Sequence, residues 1–307
     1  MQTLVIALLL AGVLGFFAPQ AQRGLRLLLE SRPASIWAFP FLFTAIFAGA
    51  AALAGAFSVK LTLLVLAYTL APVFCTAGGR LLPPLVSPAG KNNRGRKPTI
   101  GGTRDFLAIL LLWLPLELAA GASLVPRPAQ GFLHSVAYGI AILLALVLFI
   151  GYRPLPGMKY NLPRSARDLW LPLAAFALLA PVLAVLGIAV GFIPPPHLSS
   201  KPAGAMAGAL GVIFAGTALP EEILFRSLIQ NIIMLRFGVS GRTLLAAAFI
   251  FGCAHLDNGP QPLPNWRYMI LATVAGIAYG KVFERASSVT SSAILHTFVD
   301  WTKHFFF

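Results

Sequence analysis

Apolar runs follow one another from end to end of this chain, separated by short polar stretches, and the runs are continuous rather than alternating. A helix needs about 20 such residues to cross hydrocarbon, whereas barrel strands alternate apolar and polar positions. The pattern predicts an all-α fold, a polytopic transmembrane helical bundle of about nine or ten membrane segments. The predicted crossings are Thr3–Ala18, Ile36–Phe57, Leu61–Ala77, Phe106–Leu124, Phe132–Gly151 and Leu169–Ile193. A second group comprises Ala203–Phe237 (long, with Pro220 inside it), Thr243–His255, Tyr268–Phe283 and Ser288 to about Trp301. The first run lacks a basic flank ahead of it, so it reads as a retained helix rather than a cleaved signal. Pro194, Pro195 and Pro196 make the strongest internal break. They divide a six-helix N-terminal region, 1–200, from a C-terminal core, 201–307.

Composition sharpens this picture. Of 307 residues, 58% are hydrophobic and 10% charged, against about 25% charged in soluble domains. The mean hydropathy is +0.83. The net charge of +14 is concentrated in alternate loops. Arg23, Arg26 and Arg32 follow the first run, Arg80 to Arg104 the third, and Arg153, Lys159, Arg164 and Arg167 the fifth. That alternation is the positive-inside pattern and predicts three cytoplasmic loops, with the N-terminus outside. The run KNNRGRK (91–97) reads as a solvated loop near anionic headgroups. No aromatic-basic interleaving or reading motif accompanies the charge, so it does not point to nucleic acid. Cys75 and Cys253 form no spaced motif, so neither a disulfide framework nor a cysteine zinc site is expected.

Ionisable residues within apolar runs are costly unless paired or facing a polar cavity, and so mark candidate sites. Glu221, Glu222 and Arg226 fall within six residues of one another, and His255, His296 and Asp300 lie in later apolar segments. Glu222/Arg226, Phe251/His255 and His296/Asp300 are each spaced i, i+4, which puts both members on one helical face. Glu221 and His255 stand at about equal distances either side of the turn at 236–242, near 20 Å of helix rise. An antiparallel hairpin sets them level, and the last helix can complete the group by packing against that hairpin. Each residue also has a bland reading. Glu222 with Arg226 can be a structural ion pair, His255 a satisfied core histidine, and His296 with Asp300 a helix-locking hydrogen bond. The conjunction of all of them in separate apolar helices favours a site. Glu117 is an isolated acid at membrane depth with no matching motif, and reads as structural.

The three motifs together, EEILFR (221–226), FGCAH (251–255) and HTFVD (296–300), resemble those of the CAAX-processing and bacteriocin-processing (CPBP, or Abi) intramembrane proteases. The resemblance covers 203–303, about a third of the chain. It implies a glutamate-dependent endopeptidase with no obligatory metal or other cofactor. Glu221 would be the base that activates water, with His255 as its helper. His296 and position 300 would form the oxyanion hole, and Glu222 and Arg226 would position the reacting groups. Position 300 departs from the asparagine form of the motif, and an ionised Asp300 cannot donate a hydrogen bond. The implied partners are the lipid bilayer and a membrane-associated protein or peptide substrate, in processing or sorting. A multi-pass protein of a bacterial cytoplasmic membrane is the natural setting.

Other readings stay open on the sequence. His255, His296 and a glutamate are a possible zinc ligand set with one position left for water, although there is no His-Glu-x-x-His motif and Arg226 is adjacent. A non-catalytic membrane immunity factor or scaffold would keep the same residues for stability. A proton-relay transporter would use Glu117 and Glu221, but no inverted repeat accompanies them.

Overall fold

In the computed structural model, residues 1–81, 101–259 and 262–307 are described, with side chains omitted at 78–81. The predicted basic loop at 91–97 lies outside them. Among the described residues every regular element is helical. The helices are α1 (Gln2–Gly15), α2 (Pro19–Ser31), α3 (Pro33–Leu53), α4 (Val59–Leu81), α5 (Thr103–Glu117), α6 (Arg127–Tyr152) and α7 (Arg167–Ala189), then α8 (Ala203–Phe237), α9 (Gly241–Cys253), α10 (Trp266–Arg285) and α11 (Val289–Phe306).

Five of these, α3, α4, α6, α7 and α8, are long and apolar enough to cross a membrane, or six if α1 and α2 form one broken span. The protein is thus an integral membrane protein with fewer clear-cut spans than the apolar runs suggested. Two reasons are visible. First, the opening run stops at Gly15, and α2 leaves it at 86° as a separate helix that carries Arg23 and Arg26. Second, α5 and α9 are too short, at 15 and 13 residues, and α10 and α11 are long enough but too polar: α10 carries Arg267, Lys281, Glu284 and Arg285, and α11 the serines, histidine and charged residues of the site described below.

The chain divides into two compact units, Met1–Pro156 and Gly157–Phe307. The triple proline at 194–196 falls inside the second unit, because α7 packs on α10 and α11 rather than with the helices before it. Within the first unit, Arg153 pairs with the buried Asp105 at 2.6 Å. Trp113 donates to Glu117 at 2.9 Å, one turn along the same helix.

The second unit holds the motifs. Its turn between α10 and α11 is fixed by the segment that leads into α7. Lys159 donates its ammonium to the carbonyls of Phe283, Glu284 and Ala286, capping the C-terminal end of α10, where cations are favoured. Burial holds that ammonium below the usual lysine value, partly offset by Glu284 and Asp168. The Asp168 carboxylate accepts from the backbone N–H and hydroxyl of Ser287. Helices α9 and α10 approach closely through small residues, as membrane helices do. A Cβ on Gly252 would lie 2.7 Å from the Met269 carbonyl, and one on Gly276 would lie 3.3 Å from the Ala248 Cα.

Candidate active site

Pro220 has no N–H to continue the helical ladder of α8. The helix widens to π geometry just before it, at Phe214–Ala218, and again at Ile223–Gln230. The two glutamates occupy the short α-helical stretch between these π segments. Such π segments often accompany functional positions. Here the break turns Glu222 and Arg226 fully inward, while the Glu221 side chain stays 23% exposed.

Glu222 is the hub of the buried network. Its Oε2 lies 3.0 Å from Arg226 Nε, one turn along the same face. Its Oε1 lies 3.0 Å from His296 Nδ1, and it also accepts from the Ser292 hydroxyl. Ser292 stands four residues before His296, so α11 presents both to the same carboxylate. The Arg226 guanidinium lies 4.6 Å from the Phe251 ring centre and 5.6 Å from that of Tyr279. A fully buried ion pair is tolerable only with such added partners.

The other edge of the His296 ring faces two more carboxylates. Nε2 lies 3.9 Å from Glu221 Oε2 and 3.5 Å from Asp300 Oδ2. The ring face is stacked on Tyr279, with centres 4.6 Å apart. His296 therefore sits between Glu222 on one side and Glu221 with Asp300 on the other, clamped in its plane by an aromatic ring.

His255 follows the last turn of α9. Its Nδ1 lies 2.8 Å from the Phe251 carbonyl. A carbonyl can only accept, so Nδ1 carries the hydrogen and Nε2 of the neutral ring keeps a free lone pair. The i, i+4 spacing of Phe251 and His255 thus fixes the tautomer through the backbone. The Phe251 ring itself lies between the two imidazoles, 4.7 Å from His255 and 5.8 Å from His296.

His255, His296 and Asp300 line a common cavity of about 80 Å³, walled mainly by apolar side chains of α7, α10 and α11. That is room for more than one water, since a single molecule needs about 10–15 Å³ by this kind of measure. A larger space of about 630 Å³, between the start of α8 and the end of α11, shares Tyr268, Asp300 and Lys303 with it.

All six residues singled out in the sequence, Glu221, Glu222, Arg226, His255, His296 and Asp300, thus converge in the second unit. Three contributors were not singled out: Ser292, Tyr279 and Tyr268, whose ring lies 4.5 Å from that of His255. Ser292 had a legible signal, its i−4 spacing from His296. The tyrosines had none, since an aromatic in an apolar helix looks like core. Among the described residues no three His, Cys, Asp or Glu side chains are arranged to hold a metal ion.

Residues 202–302 match the family model described as Type II CAAX prenyl endopeptidase Rce1-like. Comparison with curated proteins and with solved structures gives no match. The matched segment contains every one of the three motifs and, with them, the carboxylate–imidazole cluster. Residues 202–302 are therefore an Rce1-like domain, consistent with the CPBP family of CAAX proteases that the motifs resemble.

Proposed function

We propose that this protein is an intramembrane endopeptidase that hydrolyses a peptide bond of a membrane-associated protein or peptide by general-base activation of water. The observation that carries the reading is the position of His296. One edge of its ring is held by a buried carboxylate and the other faces Glu221 and Asp300, and His296 and Asp300 line a cavity that His255 also lines.

In the proposed reaction Glu221 takes the proton of a water held against His255 Nε2, and the water oxygen adds to the scissile carbonyl carbon. Negative charge then develops on the carbonyl oxygen. His296 in its doubly protonated form can donate from Nε2 to that oxygen while Nδ1–H stays on Glu222. Collapse breaks the C–N bond, and Glu221 returns its proton to the leaving nitrogen. Glu222, with Arg226 and Ser292, orients His296. Asp300 is assigned to steadying His296 Nε2 rather than to donating a hydrogen bond of its own. No step calls for a metal.

The test is processing by protein reconstituted in lipid, with folded yield measured alongside. Glu221→Gln and His255→Ala are expected to remain folded and to lose activity by about 10²–10⁴-fold. Undiminished function in both folded variants would instead favour a scaffold or immunity role. Processing in the wild type is also expected to survive chelators that strip zinc, and its loss on chelation with recovery on zinc addition would overturn the metal-free assignment.

A further inference from the structure

Far from the matched domain in sequence, α1 runs alongside α6 in the same direction. A Cβ on Gly139 would lie 3.3 Å from Leu9, and one on Gly12 would lie 3.3 Å from Leu143. Helix α6 is long and apolar enough to cross a membrane, and at the end of α1 the chain bends by 86°. Gln22 Nε2 donates to the Phe16 carbonyl at 2.8 Å across that corner. Pro19, with no N–H to continue the ladder, opens α2. Leu25 and Leu29, one turn apart, both close on Gly151 in the last turn of α6, where a Cβ would meet them at 2.6 and 2.8 Å. Arg26 Nε donates to the Ile150 carbonyl at 2.8 Å. Two successive turns of α2 thus meet one point of α6, so α2 crosses the end of that span instead of continuing α1.

That contact occupies the inner face of α2 and leaves the rest open. Leu27 is 65% exposed and Leu28 43%. Arg23, one turn before Leu27 on the same face, is exposed, and so is Arg32 just past the helix end. Arg23, Arg26 and Arg32 outweigh Glu30, the single acid of α2. Exposed leucines beside arginines, on a helix lying across the end of a membrane span, have the make-up of an interfacial helix. We propose that α2 binds anionic phospholipid, with Leu27 and Leu28 seated against acyl carbons and Arg23 and Arg32 holding headgroup phosphates. The positive-inside pattern puts this surface on the cytoplasmic side, where anionic headgroups attract basic segments. The parallel run of α1 and α6 agrees, since it brings Arg23 to Arg32 and Arg153 to the same end of the first unit. A zwitterionic lipid offsets its own phosphate with an ammonium and is the poorer ligand.

Contact-range quenching tests the site without reference to peptide hydrolysis. The full chain carries a fluorophore on Leu27→Cys, on a background lacking Cys75 and Cys253, and is reconstituted in phosphatidylcholine vesicles. Nitroxide-labelled phosphatidylglycerol or nitroxide-labelled phosphatidylcholine is then supplied in equal amount as the quencher. The anionic lipid should associate about fivefold more strongly for each arginine that engages it, and high salt should weaken the preference. Arg23→Gln together with Arg32→Gln should bring the ratio close to one at an unchanged melting temperature, since both side chains are exposed. Arg23→Lys with Arg32→Lys should keep most of the preference. Equal quenching by the two lipids in the parent protein would overturn the proposal, leaving apolar contact alone. A preference that survives both glutamines would overturn it as well. No quenching by either lipid, with the label open to aqueous iodide, would set the outer face of α2 in water and reassign it to a soluble partner.

Discussion

Glu222 and Arg226 are bound so tightly into the network that their loss should register as instability before it registers as chemistry. Replacing Glu222 by Gln leaves the Arg226 charge buried and uncompensated. Such a break costs about 3–5 kcal/mol, visible as a lower melting temperature in detergent. Glu221→Gln should leave the melting temperature nearly unchanged, because its side chain is partly exposed and is not the Arg226 partner. The two adjacent glutamates would thereby separate into a stabilising and a reacting carboxylate. Asp300 provides a third test at this scale. Asp300→Asn keeps a polar group beside His296 Nε2 and should retain activity within about tenfold, whereas Asp300→Leu should lose about 10²-fold. A larger loss with asparagine than with leucine would contradict the steadying role.

At the scale of elements, the site depends on how closely α9 and α10 approach and on how α11 is anchored. Any side chain on Gly252 must push against the Met269 carbonyl and Thr273. Gly252→Val is expected to destabilise by at least about 1–3 kcal/mol and to displace His255, three residues on. Lys159→Met removes the cap from α10 and should cost roughly 1–3 kcal/mol, with the melting temperature as the measure.

The spacing of the motifs was legible in the sequence because Glu222/Arg226 and His296/Asp300 each ride on a single helix, where period alone decides which side chains share a face, and His255 lies in the turn that directly continues α9 from Phe251. Tertiary consequences were less legible. The break between α1 and α2 follows from Pro19, which opens α2 after the short turn at 16–18, but the apolar run continues into it and hides the bend. Glu222 as the hub could not be separated from Glu221 by sequence. Two adjacent residues of a helix point about 100° apart, and only packing decides which faces inward. Tyr279 and Tyr268 were invisible for the same reason that they serve well. They are apolar bodies in an apolar helix, placed against imidazoles by the fold.

For the whole molecule, the alternation of basic segments predicts that those carrying Arg23 to Arg32 and Arg153 to Arg167 share the cytoplasmic side. Single cysteines placed at Gln22 and Arg164, on a background lacking Cys75 and Cys253, should then both resist a membrane-impermeant thiol reagent added from outside. Labelling of one but not the other would overturn that topology. The second unit contains the entire cluster, so the proposed chemistry lies within 157–307.

The most direct test compares the membrane proteomes of cells carrying the wild-type protein and cells carrying a folded Glu221→Gln variant at equal abundance. With the carboxylate intact, at least one membrane-associated protein should be found in shortened form, its new terminus absent from the variant, where the uncleaved precursor accumulates. Identical sets of termini in the two membranes, with the precursor processed regardless of Glu221, would contradict the assignment of this cluster as a hydrolytic site.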